Sequence, residues 1–195
     1  MLRFIGIYNY TVILTYLSLV FAVVGMTMSA KGAFTISVIC LMLCGICDAF
    51  DGTVARSKKD RTQDEKSFGI QIDSLCDVIS FGVFPAVLCY HLGADGLPGI
   101  ACMCAYVLCA VIRLAFFNVL EAKRQKEEGG CNKIYRGLPV TSISIIFPPF
   151  YILRFLITED LFTALLHILL LLVAYLFVLD FSVKKISMDK VFAKK

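Results

Sequence analysis

Four aspartates on two apolar segments carry the chemistry of this chain. The first segment reads Asp48-Ala49-Phe50-Asp51-Gly52-Thr53-Val54-Ala55-Arg56, and the second Gly69-Ile70-Gln71-Ile72-Asp73-Ser74-Leu75-Cys76-Asp77. Each aspartate would cost several kcal/mol if left charged and unpaired in apolar surroundings. At helical spacing Asp48, Asp51 and Ala55 (i, i+3, i+7) share one face, with Gly52 and Arg56 beside it. Gly69, Asp73 and Asp77 (i, i+4, i+8) share a face of the next segment. Two such helices facing each other gather four carboxylates, which repel unless a cation neutralises them. An all-oxygen donor set with no His or Cys on those faces favours a hard ion, Mg2+, Mn2+ or Ca2+, over zinc. Helix capping or surface ion pairing would account for one such residue, but not for four at this spacing with small residues between them.

Gly52, Ala55 and Gly69 leave room for a neighbouring helix or for a ligand lying against the backbone. The planar guanidinium of Arg56, at the rim of the acidic face, suits a phosphate oxygen. A metal pocket with phosphate-binding surroundings points to a pyrophosphate substrate.

The pattern Asp48-x2-Asp51-Gly52-x2-Ala55-Arg56, then Gly69-x3-Asp73-x3-Asp77, resembles the signature of the CDP-alcohol phosphatidyltransferases. These are integral membrane enzymes that move a phosphatidyl group from a CDP-linked lipid to an alcohol. The spacer between Arg56 and Gly69 is longer than is usual in that family, and a solvated loop is expected to absorb it. The run Asp73-Ser74-Leu75-x-Asp77-x2-Ser80-Phe81-Gly82-x2-Pro85-Ala86, with Arg113-Leu114-Ala115-Phe116-Phe117-Asn118 and Arg136-Gly137-Leu138-Pro139, resembles the phosphatidylserine synthase branch. The resemblance covers roughly residues 40 to 145.

What the resemblance implies is specific. Asp48, Asp51, Asp73 and Asp77 would hold one or two divalent ions on the pyrophosphate, Asp77 would also be the general base, and Gly52, Ala55, Arg56 and Gly69 would accommodate cytidine and its phosphates. Apart from the resemblance, Arg113 near the cytoplasmic third of the fourth apolar run is a buried guanidinium that either meets an anion, a lipid phosphate or the serine carboxylate, or snorkels to the surface, and Arg136 at the cytoplasmic mouth is placed for a similar task. The implied substrates are CDP-diacylglycerol and L-serine, and the implied assembly is a homodimer. Other acceptors (glycerol phosphate, inositol phosphate, choline) stay open within the family, and a cation transporter is the competing class.

The positioning elements follow from composition. With 59% hydrophobic and 17% charged residues among 195, and a mean hydropathy of +0.82, the chain is far too apolar for a soluble domain of this size. Apolar runs at roughly 10–30, 33–56, 68–90, 96–118, 139–157 and 161–182 each suit a crossing helix. The first is expected to be a membrane helix and not a cleaved leader. Unbroken runs without alternation exclude a barrel, so the expectation is one all-α polytopic domain over 1–195 with about six transmembrane helices.

Lys and Arg set the expected orientation. Segment 57–67 holds Lys58, Lys59, Arg61 and Lys66, segment 119–138 holds Lys123, Arg124, Lys126, Lys133 and Arg136, and the tail holds Lys184, Lys185, Lys190, Lys194 and Lys195. The opposite loops hold Lys31 and little else. Both termini and the acidic pocket therefore face the cytoplasm of a cell membrane. Asp48, eight residues before Arg56, sits ~12 Å inside that end at helical rise. The net charge of +4 reflects this topology and contact with membrane lipids, and no aromatic interleaving indicates nucleic acid. The cysteines in apolar segments, Cys40, Cys44, Cys47, Cys76, Cys89, Cys102, Cys104 and Cys109, are expected to be small buried residues.

Overall fold

The structure, a computed structural model, describes residues 6, 10–57, 60, 62–126 and 134–184. The side chains of residues 11, 55–57, 123–126, 134–136 and 182–184 also lie outside the description. Among the described residues seven α-helices follow in order: α1 (Ile13–Ala30), α2 (Phe34–Ser57), α3 (Gln63–Asp77), α4 (Phe84–His91), α5 (Leu97–Lys126), α6 (Ile143–Ile152) and α7 (Glu159–Val178). A π-helical turn, Val78–Val83, joins α3 to α4, so that Gln63–His91 runs as one helix. Among the described residues five helices are long and apolar enough to span a membrane, and Val140–Phe155 is a shorter apolar helix. This is a multi-pass helical bundle.

Small residues let α1 and α2 lie close together. Thr15, Ser18, Ala22, Gly25 and Ser29, spaced by threes and fours, form the buried stripe of α1. In lipid such stripes replace the hydrophobic drive with close van der Waals packing and interhelical hydrogen bonds. Ser37 Oγ donates to Gly25 O (2.9 Å) and Cys44 Sγ to Ser18 O (3.3 Å). The turn between these helices is a Schellman motif, with Gly32 N on Ser29 O and Ala33 N on Met28 O. Gly32 takes the left-handed φ of +76° that the motif requires. The same arrangement closes α4, with Gly93 N on Tyr90 O and Ala94 N on Cys89 O.

Several boundaries differ from those read in the sequence. The third span begins at Gln63, because Thr62 and Glu65 form a reciprocal capping box and start the helix early. Much of the long spacer is therefore helix, not loop. Helix α5 continues to Lys126, past the expected end near residue 118. Pro148 and Pro149 lie inside α6 and cannot donate to the carbonyls four residues earlier.

The all-α expectation holds for the bundle, with one small addition. Strands β1 (Ile134–Arg136) and β2 (Ser182–Lys184) pair antiparallel, Ile134 opposite Lys184 and Arg136 opposite Ser182. The ribbon continues into the bundle through Gly137 N on Phe181 O (2.7 Å) and Leu138 N on Leu176 O (3.2 Å). Among the cysteines, Cys104 is exposed on the outer surface of α5 and Cys109 half-buried, contrary to the expectation of burial. An exposed thiol there behaves as a small apolar group facing lipid. Cys131, Lys58 and Lys59 lie outside the described residues.

Candidate active site

Antiparallel α2 and the α3 segment bring their acidic faces together at one end of the bundle. One carboxylate oxygen from each of Asp48, Asp73 and Asp77 lies within 4.8 Å of the others. Asp48 and Asp73 are half-buried and Asp77 is the most enclosed of the three. Asp51, one turn beyond Asp48, is within hydrogen-bonding reach of the Asp73 carboxyl and accepts from the Gly52 backbone. All four acidic residues thus converge, three of them as a tight triangle.

Such a triangle of carboxylates fits a hard divalent ion. The donors are all oxygen, and the neighbouring thiols of Cys47 and Cys76 do not join the ligating group. In lipid-embedded surroundings, carboxylates at this separation demand a positive charge to offset their repulsion.

Beside the triangle the wall is open. A side chain built at Gly52 would meet nothing within 4 Å, so this glycine faces free space and not a packed helix. Gly69, half-buried, lies one turn before Asp73 on α3. Ala55 and Arg56 occupy the last turns of α2, but their side chains lie outside the description. The Arg136 side chain does too, although its backbone is fixed in β1.

Arg113 is not snorkelling. It is only 7% exposed, and its Nε donates to Leu138 O at 3.2 Å. The bond ties α5 to the connection that follows β1. There Ser142 Oγ donates to Pro139 O (2.6 Å), closing the 3-10 turn Val140–Ser142, and Ser144 Oγ donates to Thr141 O (2.7 Å). The Thr141 side chain hydrogen-bonds Asp48. Arg113 therefore anchors the segment that supports the first aspartate. On the opposite flank Ser74 Oγ, between Asp73 and Asp77 in the chain, donates to Asn118 Oδ1 at 2.8 Å and joins α3 to α5.

Thr141 and Ser74 were not singled out by sequence reasoning. Thr141-Ser142-x-Ser144 is a hydroxyl-rich start to an otherwise apolar helix, which was the available signal, but its partner Asp48 is remote in the chain. The histidines and Arg154 lie elsewhere. His91 ends α4, and His167 Nδ1 contacts Thr163 O (2.7 Å) within α7. Arg154 stacks over the Phe34 ring at 4.7 Å.

Comparison with known proteins adds independent evidence. The family model described as CDP-alcohol phosphatidyltransferase matches residues 8–179. An archaetidylserine synthase of Methanothermobacter thermautotrophicus is 36% identical over 129 residues, 66% of this chain and 51% of that protein. A CDP-diacylglycerol–serine O-phosphatidyltransferase of Saccharomyces cerevisiae is 34% identical over 116 residues, 58% of this chain and 41% of that protein. One of the same description from Bacillus subtilis is 38% identical over 78 residues, 39% of this chain and 42% of that protein. The chain thus spans about half or less of the length of these relatives. The matched segment takes in both aspartate-bearing helices and nearly the whole bundle, and the chain belongs to the CDP-alcohol phosphatidyltransferase family.

Proposed function

We propose that this protein transfers the phosphatidyl group of CDP-diacylglycerol to the hydroxyl of L-serine, giving phosphatidylserine and CMP. The observation that carries this reading is the triangle of Asp48, Asp73 and Asp77 beside the open wall at Gly52. In the reaction the serine oxygen forms a bond to the lipid-side phosphorus, the bond from that phosphorus to CMP breaks, and CMP leaves with the electron pair. A divalent ion, Mg2+ or Mn2+, would neutralise charge on the pyrophosphate when bound.

The chain's own residues have separable tasks. Asp48, Asp51, Asp73 and Asp77 would hold the ion, and Asp77 would accept the serine hydroxyl proton. Gly52, Ala55 and Gly69 leave space for the nucleotide, and Arg56 meets its phosphates. Arg113, bonded to the connection after β1, and Arg136 would supply positive charge for the lipid phosphate or the serine carboxylate. Thr141 keeps Asp48 turned toward the ion.

The serine acceptor is favoured by the names of the relatives, one of which is an archaetidylserine synthase, so the lipid half of the donor is less restricted than the acceptor. The active end faces the cytoplasm in this reading, both termini lie on that side, the catalytic unit is one domain, and the assembly is a homodimer. Purified protein would be incubated with CDP-diacylglycerol, Mn2+ or Mg2+, and separately serine, glycerol phosphate, inositol phosphate or choline, and CMP release followed. Serine-dependent release is expected, and release with another alcohol but not serine would overturn the acceptor.

A further inference from the structure

The helix that carries Asp73 and Asp77 leaves the α register directly after the site. Val78 N still bonds Ser74 O, four residues back, whereas Phe84 N bonds Ile79 O, five residues back. The wide turn Val78–Val83 thus begins at the C-terminal neighbour of Asp77. Turns of this kind are rare, and single ones inside α-helices concentrate at functional sites.

Two neighbours pin the turn. Tyr106 of α5, fully buried, donates its hydroxyl to Phe81 O at 2.6 Å. Ser18 of α1 donates to Ser80 Oγ at 3.3 Å. Pro85 explains why the first bond matters. In an α register the Phe81 carbonyl would receive the N–H of residue 85, and proline has none. Pro85 leaves that carbonyl without its α-helical donor, and the Tyr106 hydroxyl occupies it.

Returning to α winding would rotate everything beyond the turn by about 100° relative to α3, one residue's worth. Helix α4 cannot take up that rotation, because the Phe84 ring fills the notch at Gly25 of α1. The adjustment must fall on the Asp77 side.

We propose that Tyr106 is a positioning residue for Asp77: by holding the Phe81 carbonyl, its hydroxyl keeps the turn wide and sets where the Asp77 carboxylate points among the other aspartates. The inference rests on the reading of Asp77 as ligand and base. Tyr106 itself touches neither substrate nor ion.

Tyr106→Phe keeps the ring and its stacking on Phe177 (centroids 5.5 Å apart) and removes one hydroxyl. Two measurements are made on the detergent-purified variant, Mn2+ binding followed by electron paramagnetic resonance without substrate, and serine-dependent CMP release. The expected result is a several-fold rise in half-saturating Mn2+ in both measurements. With it, kcat falls about ten- to a hundredfold, and the KM for CDP-diacylglycerol changes less than about twofold. A tyrosine that merely fills the core would lower thermal stability and leave Mn2+ binding unchanged, which overturns the proposal. Phe177→Leu, which loosens the same contact without touching the hydroxyl, is the control. An equal Mn2+ shift in that variant also overturns it. Pro85→Ala offers the α register its missing N–H and is the second route if Tyr106→Phe does not accumulate. It is expected to weaken Mn2+ binding, and unchanged binding counts against the proposal. Absence of CMP release by the unaltered protein with serine would remove the reaction assignment, while the Mn2+ comparison would still decide the role of Tyr106.

Discussion

At the scale of single residues, the two ends of the aspartate signature separate by what an amide can still do. Asp48→Asn removes a charge from the ion's surroundings and disturbs the Thr141 contact, so half-saturating Mn2+ should rise and turnover should be nearly lost at limiting metal. Asp77→Asn should behave differently. Its amide oxygen can remain a ligand but cannot accept the serine proton, so single-turnover CMP release should drop by about 10²–10⁴-fold while CDP-diacylglycerol binding survives in part. If extra Mn2+ restored turnover of Asp77→Asn, that residue would be a fourth ligand only. The candidate ligands were legible because carboxylates in an apolar helix are so costly that their spacing has to serve something. Arg113 was legible as a buried cation, but its bond to Leu138 O was not, since a backbone acceptor across the bundle leaves no mark in the sequence. Thr141 was missed because its partner, the Asp48 carboxylate, is remote in the chain.

At the scale of elements, apolar run length was enough to locate the crossing helices, and capping chemistry would have corrected one boundary. Thr62-x-x-Glu65 is a visible capping box, and reading it would have started the third span at Gln63. The π turn was not legible, because periodicities of four and five residues are indistinguishable over so short a stretch. Nor was the ribbon of β1 and β2, whose strands are short and pair across most of the final third of the chain. Close approaches between helices are set by glycines whose contacts the structure alone identifies. A side chain at Gly25 would enter the Phe84 ring, and one at Gly45 would strike Ser144 Oγ. Gly25→Ala therefore overpacks the contact between α1 and α4, at a cost of about 1–3 kcal/mol. A thermal midpoint several degrees lower is expected in detergent, with partial recovery in Gly25→Ala combined with Phe84→Leu. An unchanged midpoint for Gly25→Ala would mean that α1 and α4 are further apart than described.

At the scale of the whole molecule, the arrangement of charge and site predicts which side of the membrane the chemistry faces. The C-terminal end of α2, the start of α3, the end of α5 and the ribbon lie at the end that carries the aspartates, and the Lys- and Arg-rich segments adjoin these elements in the sequence. The turns around Gly32, Gly93 and Thr158 lie at the other end, where Asp95, Glu159 and Asp160 outnumber Lys31 and the stacked Arg154. Basic residues in short connections resist translocation, so the prediction is that the basic end stays in the cytoplasm. The aspartates share that end because they occupy the last turns of α2 and the body of α3, within reach of a soluble acceptor and a soluble leaving nucleotide. A fluorescent reporter that matures only in the cytoplasm should therefore light up when fused after Lys195 and stay dark when inserted between Gly93 and Gly96. Fusions report topology whether or not the enzyme is active, so the result is independent of the acceptor. Fluorescence from the Gly93–Gly96 insertion alone would reverse the orientation and put the aspartates on the outer face, where a cytoplasmic nucleotide-lipid donor would not meet them.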